Sequence, residues 1–318
     1  MRWRVVICCV VLGASVPGRG VASFAFVTNA RGTAEIAVIE DPGAAYRIVV
    51  EAPEGAGAPS WSPDATWLTY TARLAGNIDI YTISNDAERV ERLTNGVTQD
   101  AESAWSPDGT RIAFSSDRAG SWDIYVMSLD GAILRQLTTD PGTDWCPTWS
   151  PDGQQIAFTS QRTGRSSLHV VRADGGDVRL LGGAPYACED PAWPPDGEWI
   201  AFRGALGATY DICVVRADGG MPRPVSDDPA GDHEPAWSPD GSEIAFTSDR
   251  DGALAIYVMD ALDGSNVRRV TPEGIEAWSP AWGHAAPAPE PKDEPQDDPR
   301  ALRASGRRLV TWGAIRTR

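Results

Sequence analysis

The tryptophans of this chain recur at a fixed interval. Trp61, Trp105, Trp149, Trp193, Trp237 and Trp282 are separated by 44, 44, 44, 44 and 45 residues. A period in this range marks a repeat architecture, in which each unit buries its apolar face only against its neighbours. All six tryptophans sit inside copies of one phrase, complete as Pro-Ala-Trp-Ser-Pro-Asp-Gly at Pro235–Gly241. Variants lie at Ser103–Gly109, Pro147–Gly153 and Pro191–Gly197, a worn copy at Pro59–Ala65, and a truncated one at Pro280–Gly283. Ser-Pro-Asp-Gly is a turn: Pro fixes φ at its second position, and Gly supplies the positive φ often required at its end.

An alternating apolar run follows each turn, as at Ile112-Ala113-Phe114 and Ile244-Ala245-Phe246. Alternation of this kind reads as a strand. Its aromatic keeps the period, at Phe26, Tyr70, Phe114, Phe158, Phe202 and Phe246. A further strand is expected about ten residues on, as at Asp123-Ile124-Tyr125-Val126. A fourth is expected around Leu93, Leu137, Leu181, Val225 and Val270. The extra residue of the last interval falls at Asp260–Gly264, in the turn before that fourth strand. Four short antiparallel strands joined by tight turns make a propeller blade.

The ends set the number of blades. The first unit has strands around Phe26, Val38 and Val49 but no Trp strand before them, and the last copy has a Trp strand and nothing after it. Joined, they complete one blade. The fold class expected is therefore all-β: a six-bladed β-propeller of four-stranded antiparallel blades, closed by the C-terminal strand beside the N-terminal strands. Such closure removes exposed sheet edges.

These residues carry a resemblance. Pro-x-Trp-Ser-Pro-Asp-Gly, then Ile-Ala-Phe-x-Ser-Asp-Arg, Asp-Ile-Tyr-Val-Met and Arg-x-Leu-Thr resemble the TolB-type propeller repeat, a WD-repeat-like family of the bacterial envelope. Residues 103–138 and 235–271 match it best, and the likeness extends over about 23–284. Family members with the TolB role also carry an α/β domain ahead of the propeller, whereas only a leader-like segment precedes Phe26 here.

The flanks differ from the repeats. Residues 1–22 read as a secretory signal, with Arg2 and Arg4, an apolar stretch over Val5–Leu12 too short to span a bilayer, and small residues before Ser23. Residues 285–299 hold five prolines and five acids and read as an extended linker. Residues 300–318 hold six Arg and no acid, a basic tail. Residues 23–284 carry 39 acidic and 18 basic side chains, a net of −21. That surface repels nucleic acid and favours cationic partners. Export to the periplasm or beyond follows from the signal, no transmembrane segment is expected, and the ring reads as a monomer. Cys146, Cys188 and Cys213 remain after the signal. Cys146 and Cys188 lie in matching loops of neighbouring blades, so a disulfide between them is one expectation.

No Gly-x-Ser-x-Gly elbow, His-Glu-x-x-His or phosphate-binding glycine loop is present. Propellers of prolyl-oligopeptidase type work with a hydrolase domain far longer than the 34 residues of 285–318. His169 takes the place of Tyr81, Tyr125 and Tyr257 and reads as a core residue. Asp79, Asp123 and Asp211, at the start of the third strands, read as turn-bonding residues.

The richer constellation lies just ahead of the tryptophans. Asp100, Asp144 and Asp232 stand five residues before them; Glu102, Asp190 and Glu234 stand three before. Ring symmetry brings these positions to the channel mouth as an acidic arc. The two remaining units offer Ala56 and Ala58, and Ala277 and Ser279. These acids either cap their own loops or bind a cation. Calcium prefers oxygen ligands but takes six to eight of them close together. A spread arc better suits a basic peptide, for which the Arg-rich tail is one source. The reading is a non-catalytic binding scaffold of the cell envelope, with no cofactor required. The alternative is a periplasmic lyase or hydrolase using the channel with a bound divalent ion.

Overall fold

The computed structural model describes residues 23–40, 44–130, 133–181, 186–205, 207 and 209–283. The signal, linker and basic tail expected from the sequence lie outside the described residues. Six four-stranded antiparallel sheets form the structure. Blade 1 combines the two ends of this region, with Phe24–Thr28, Glu35–Ile39 and Arg47–Val50 joined by Ala277–Trp282. Blades 2 to 6 begin with the inner strands Ala56–Trp61, Asp100–Trp105, Asp144–Trp149, Cys188–Ala192 and Asp232–Trp237. The expected closure is present: Phe24 pairs with Trp282 and Thr28 with Ala277, and the Gly283 amide donates to the Ser23 carbonyl at 2.7 Å.

The recurring phrase works as its chemistry suggests. In blade 3, Asp108 Oδ1 accepts from Ser106 Oγ at 2.6 Å and from the Thr110 amide at 3.0 Å, and the Gly109 amide donates to the Ser106 carbonyl at 2.9 Å. Gly109 has φ 68°, in the left-handed region that glycine tolerates best. Blade 5 has Pro194 where blades 2, 3, 4 and 6 have Ser, and its turn bond lengthens to 3.2 Å.

The core lies between blades. Ile112 and Phe114 of blade 3 pack with Ile80 of blade 2, and Phe24 and Phe26 of blade 1 with Ile256 and Val258 of blade 6. Rings of the second and third strands pair within a blade, Phe114 with Tyr125 at 5.8 Å and Phe158 with His169 at 5.9 Å. His169 is buried and holds the tyrosine's place.

The outer strands lie where the sequence places them, and they are short. They are two to four residues long, as at Val90–Arg92, Leu134–Gln136 and Arg179–Leu180, and end just before Leu93, Leu137 and Leu181. Those residues cap the strand instead: their amides donate to the third-strand carbonyls of Ile80, Ile124 and Leu168 at 2.8–2.9 Å. The extra residue of the last repeat widens one turn, where the Gly264 amide reaches the Asp260 carbonyl at 3.0 Å, one residue farther than Gly175 reaches to Arg172.

Candidate functional site at the channel mouth

Each inner strand carries a bulge. Register shifts lie between Gly57 and Ser60, Ala101 and Ala104, Trp145 and Thr148, Glu189 and Ala192, and His233 and Ala236. The residue three before each tryptophan is the bulge residue: Ala58, Glu102, Cys146, Asp190, Glu234 and Ser279 all have φ between 48° and 54°. A proline follows in every case except Ser103. Proline has no amide to place in a ladder and is confined to edges and bulges. Left-handed backbone at a non-glycine residue costs on the order of 1–3 kcal/mol. Six such residues around one axis point to a constraint on what the channel wall presents. Together with the residues that follow them, they line an axial opening of about 330 Å³.

The bulge divides the expected acidic arc in two. Glu102, Asp190 and Glu234 line the opening. Asp100, Asp144 and Asp232 do not: each is fully buried, against Arg118 at 2.8 Å, Arg162 at 2.7 Å and Arg250 at 3.1 Å respectively. These arginines also donate through Nε to Ser116, Ser160 and Ser248. The acid–arginine pair is a latch between the first two strands of a blade, so these three residues leave the binding arc. In an unbroken strand, residues two apart share a face; the bulge turns one outward and leaves the other inside.

The channel carboxylates also serve the ring. Glu102 Oε2 accepts from the Cys146 amide of the next blade at 2.8 Å and from Ser115 Oγ at 3.0 Å. Glu234 Oε2 accepts from the Ser279 amide at 2.8 Å and from Thr247 Oγ1 at 2.9 Å, and its Oε1 from Ser279 Oγ at 2.8 Å. At these two places the amide freed by one bulge is satisfied by the carboxylate of the preceding one, while the Asp190 amide donates to Thr159 Oγ1 at 3.2 Å. The side next to blade 1 is more polar than Ala277 and Ser279 suggest, because Ser279 engages Glu234 directly.

Asp190 is set apart. Burial first, then the charges of Glu234 and Glu102, push its carboxyl up to about 7, against the lowering effect of a hydrogen bond from Cys146. That bond runs from Cys146 Sγ to Asp190 Oδ1 at 3.3 Å. Burial and the same acids hold the Cys146 thiol well above the ordinary thiol range. Behind Asp190, blade 5 places Arg203 where blades 2, 3, 4 and 6 have Thr71, Ser115, Thr159 and Thr247. Arg203 Nε lies 3.3 Å from Asp190 Oδ2, and its head pairs with Glu189 and lies over Tyr210 at 4.8 Å.

Cys146 and Cys188 are both free thiols, so the expected disulfide is absent. The bulge sends Cys146 into the channel. Cys188, two positions earlier in its own repeat, turns into the core between blades 4 and 5. Period-2 alternation does not place Cys146 in the channel, nor Arg203 behind it as a cation. The proline two before five of the six tryptophans was the available signal for the first, and the break in the Ser/Thr series for the second. Among the described residues no group of three His, Cys, Asp or Glu side chains is placed to hold a metal ion, and no helix is long and apolar enough to cross a membrane.

Fold and opening together define a six-bladed propeller with an acid-lined axial mouth. The TolB beta propeller domain family matches residues 18–132, 119–184 and 179–286, and the chain belongs to that family. The structure is similar to TolB from Acinetobacter baumannii, with 22% identity and a TM-score of 0.75 over 84% of this chain and 68% of that one. A putative TolB from Agrobacterium tumefaciens is 25% identical, with a TM-score of 0.64 over 83% of this chain and 90% of that one. An oligogalacturonate lyase in complex with manganese, 15% identical with a TM-score of 0.58 over 79% and 74% of the two chains, shares the fold alone. No curated protein matches this chain.

Proposed function

We propose that the protein is an exported binding scaffold of the cell envelope whose channel mouth receives a basic segment of a protein or peptide. The observation that carries this is the convergence of Glu102, Asp190 and Glu234 on one opening about 330 Å³ in volume. Burial raises the Asp190 carboxyl most, and the charges of Glu234 and Glu102 add to it; carboxylates crowded in this way are relieved when a cation sits among them. A lysine or arginine entering the mouth relieves the repulsion and gains charge-assisted hydrogen bonds. Family membership and the likeness to TolB proteins support the envelope setting. The apolar Val5–Leu12 stretch behind two arginines supports export, and the ring acts as a monomer. No resident cofactor is part of this reading.

The test is titration of a peptide copying Arg300–Arg318 into a chain ending at Gly283. Binding should be measurable at low salt and should weaken steeply as salt rises, since screening shortens the reach of exposed charges to about 8 Å at physiological ionic strength. The triple variant Glu102→Gln, Asp190→Asn, Glu234→Gln should abolish it. Binding unchanged in that variant, or none at low salt, removes the basic tail as the ligand.

A further inference from the structure

A second cleft lies on the opposite face, where the inner strands end in their Ser-Pro-Asp-Gly turns. It opens between blades 2 and 3, with a volume of about 430 Å³. Trp67, Leu93 and Trp105 line it, and the carboxylates of Asp64, Glu91 and Asp108 border it.

The other five clefts show why this one is open. One position of the outer strand is arginine in every blade but one: Arg47, Arg135, Arg179, Arg223 and Arg268, with Glu91 in blade 2. Those arginines fill their surroundings. Arg47 donates to the Asn85 carbonyl of the next blade at 3.0 Å, and Arg179 to that of Ala217 at 3.0 Å. Arg135 donates to the Asp174 carbonyl. Arg223 lies over Trp199 at 5.4 Å, and Arg268 grips Glu243 at 2.7 and 2.9 Å. In blade 2 the charge is reversed, and Glu91 is exposed with no ion-pair partner among the described residues.

A second cation is missing at the same place. In the next cleft round the ring, Arg111 lies over the Trp149 indole at 4.6 Å. The equivalent ring here is Trp105, but the residue in register with Arg111 is Trp67. Arg89 already lies over Trp67, at 4.7 Å, which leaves Trp105 as the uncovered platform. Among the described residues its indole N–H has no acceptor, as is also so for Trp61 and Trp282, whereas those of Trp149 and Trp237 donate to the preceding blade at 3.2 and 3.0 Å. Both guanidinium groups that close a neighbouring cleft are therefore absent from this one, while the tryptophan face and the acids remain.

We infer that this cleft binds an arginine side chain presented by a partner protein, its guanidinium stacked on Trp105 and paired with Glu91. The neighbouring Arg111–Trp149 contact supplies the geometry. A planar guanidinium stacks on an aromatic face and pairs with a carboxylate at once, which an ammonium does less well. The site is independent of the channel mouth.

The experiment uses the intact chain labelled with 5-fluorotryptophan, the Trp105 signal being assigned through Trp105→Phe. The probe is the blocked tripeptide acetyl-Gly-Arg-Gly-amide, with the neutral citrulline tripeptide as control. The arginine tripeptide should shift the Trp105 fluorine signal saturably, and the citrulline one should leave it unmoved. Glu91→Gln should weaken binding about two- to fivefold, the size of one partly exposed ion pair. Glu91→Arg restores the residue of the other blades, so it should close the cleft and abolish the response without lowering the melting temperature. The channel triple variant should respond like the parent chain. Equal shifts from citrulline, no shift from arginine, or an unchanged response in Glu91→Arg would each overturn the assignment.

Discussion

A chain ending at Thr271 removes Ala277–Trp282 and leaves blade 1 without its inner strand. The loss can be worked from the structure. Trp282 lies against Phe24 with ring centroids 4.0 Å apart. A tryptophan buries roughly 150–250 Å², worth about 4 kcal/mol at ~25 cal/mol per Å². The pairing with Phe24–Thr28 adds three or four backbone hydrogen bonds at about 1 kcal/mol each. Phe24 and Phe26, both buried in the closed ring, are uncovered as well. The total, about 8 kcal/mol, is comparable with the whole stability of a typical domain, ~5–15 kcal/mol. The assay is thermal unfolding with light scattering. The chain ending at Thr271 should aggregate or lose its cooperative transition, while one ending at Gly283 should melt as the full chain does. Two melting curves that coincide would refute the closure argument.

Three further outcomes follow from the same geometry. Arg250→Met leaves the fully buried Asp232 without its cation and should cost about 3–5 kcal/mol in denaturant unfolding; a cost below about 1 kcal/mol would show that the latch does not hold the blade. Asp190 carries a folded pKa near 7, above its ordinary 3.8, so its contribution is fully present below pH 3.8 and is lost as pH rises through 7. Asp190→Asn should flatten the stability decline between pH 5 and 8 by an amount on the order of 1 kcal/mol once channel water and Arg203 are allowed for, and an identical decline in both chains would refute it. Burial pushes the Cys188 and Cys213 thiols up to about 12, so both should resist alkylation until the chain unfolds, as intact mass would show.

The fold was largely legible because the same interactions are written repeatedly. A tryptophan, a turn and an alternating strand at constant spacing have one economical solution, and the split first blade reveals its closure. The site was half legible. Counting by two from the tryptophan places Asp100 and Glu102 on one side, but the bulge, which period-2 reasoning omits, sends them to opposite ones. Two marks of this stand in the chain. Proline two before the tryptophan cannot join a ladder and so locates the bulge. Moreover, Asp100, Asp144 and Asp232 occur only where Arg118, Arg162 and Arg250 stand 18 residues on, while Ala56, Cys188 and Ala277 are followed there by Leu74, Leu206 and, across the chain ends, Ala30. Acid and arginine appear or vanish together, as partners in a buried pair do. The departures at Arg203 and Glu91 are visible only against such a register, because each is unremarkable in its own blade.

Site-directed photo-crosslinking shows whether the channel carboxylates receive a basic chain. Ala58 is an apolar member of the channel ring, without the hydrogen bonds that tie Cys146 and Ser279 to the acids, so a benzophenone amino acid placed there leaves the acids untouched. With the Arg300–Arg318 peptide added at low salt, a crosslinked product should form, and it should disappear at high salt and in the Glu102→Gln, Asp190→Asn, Glu234→Gln variant. Crosslinking that persists in that variant, or peptide binding with no product at Ala58, would contradict that role for the acids.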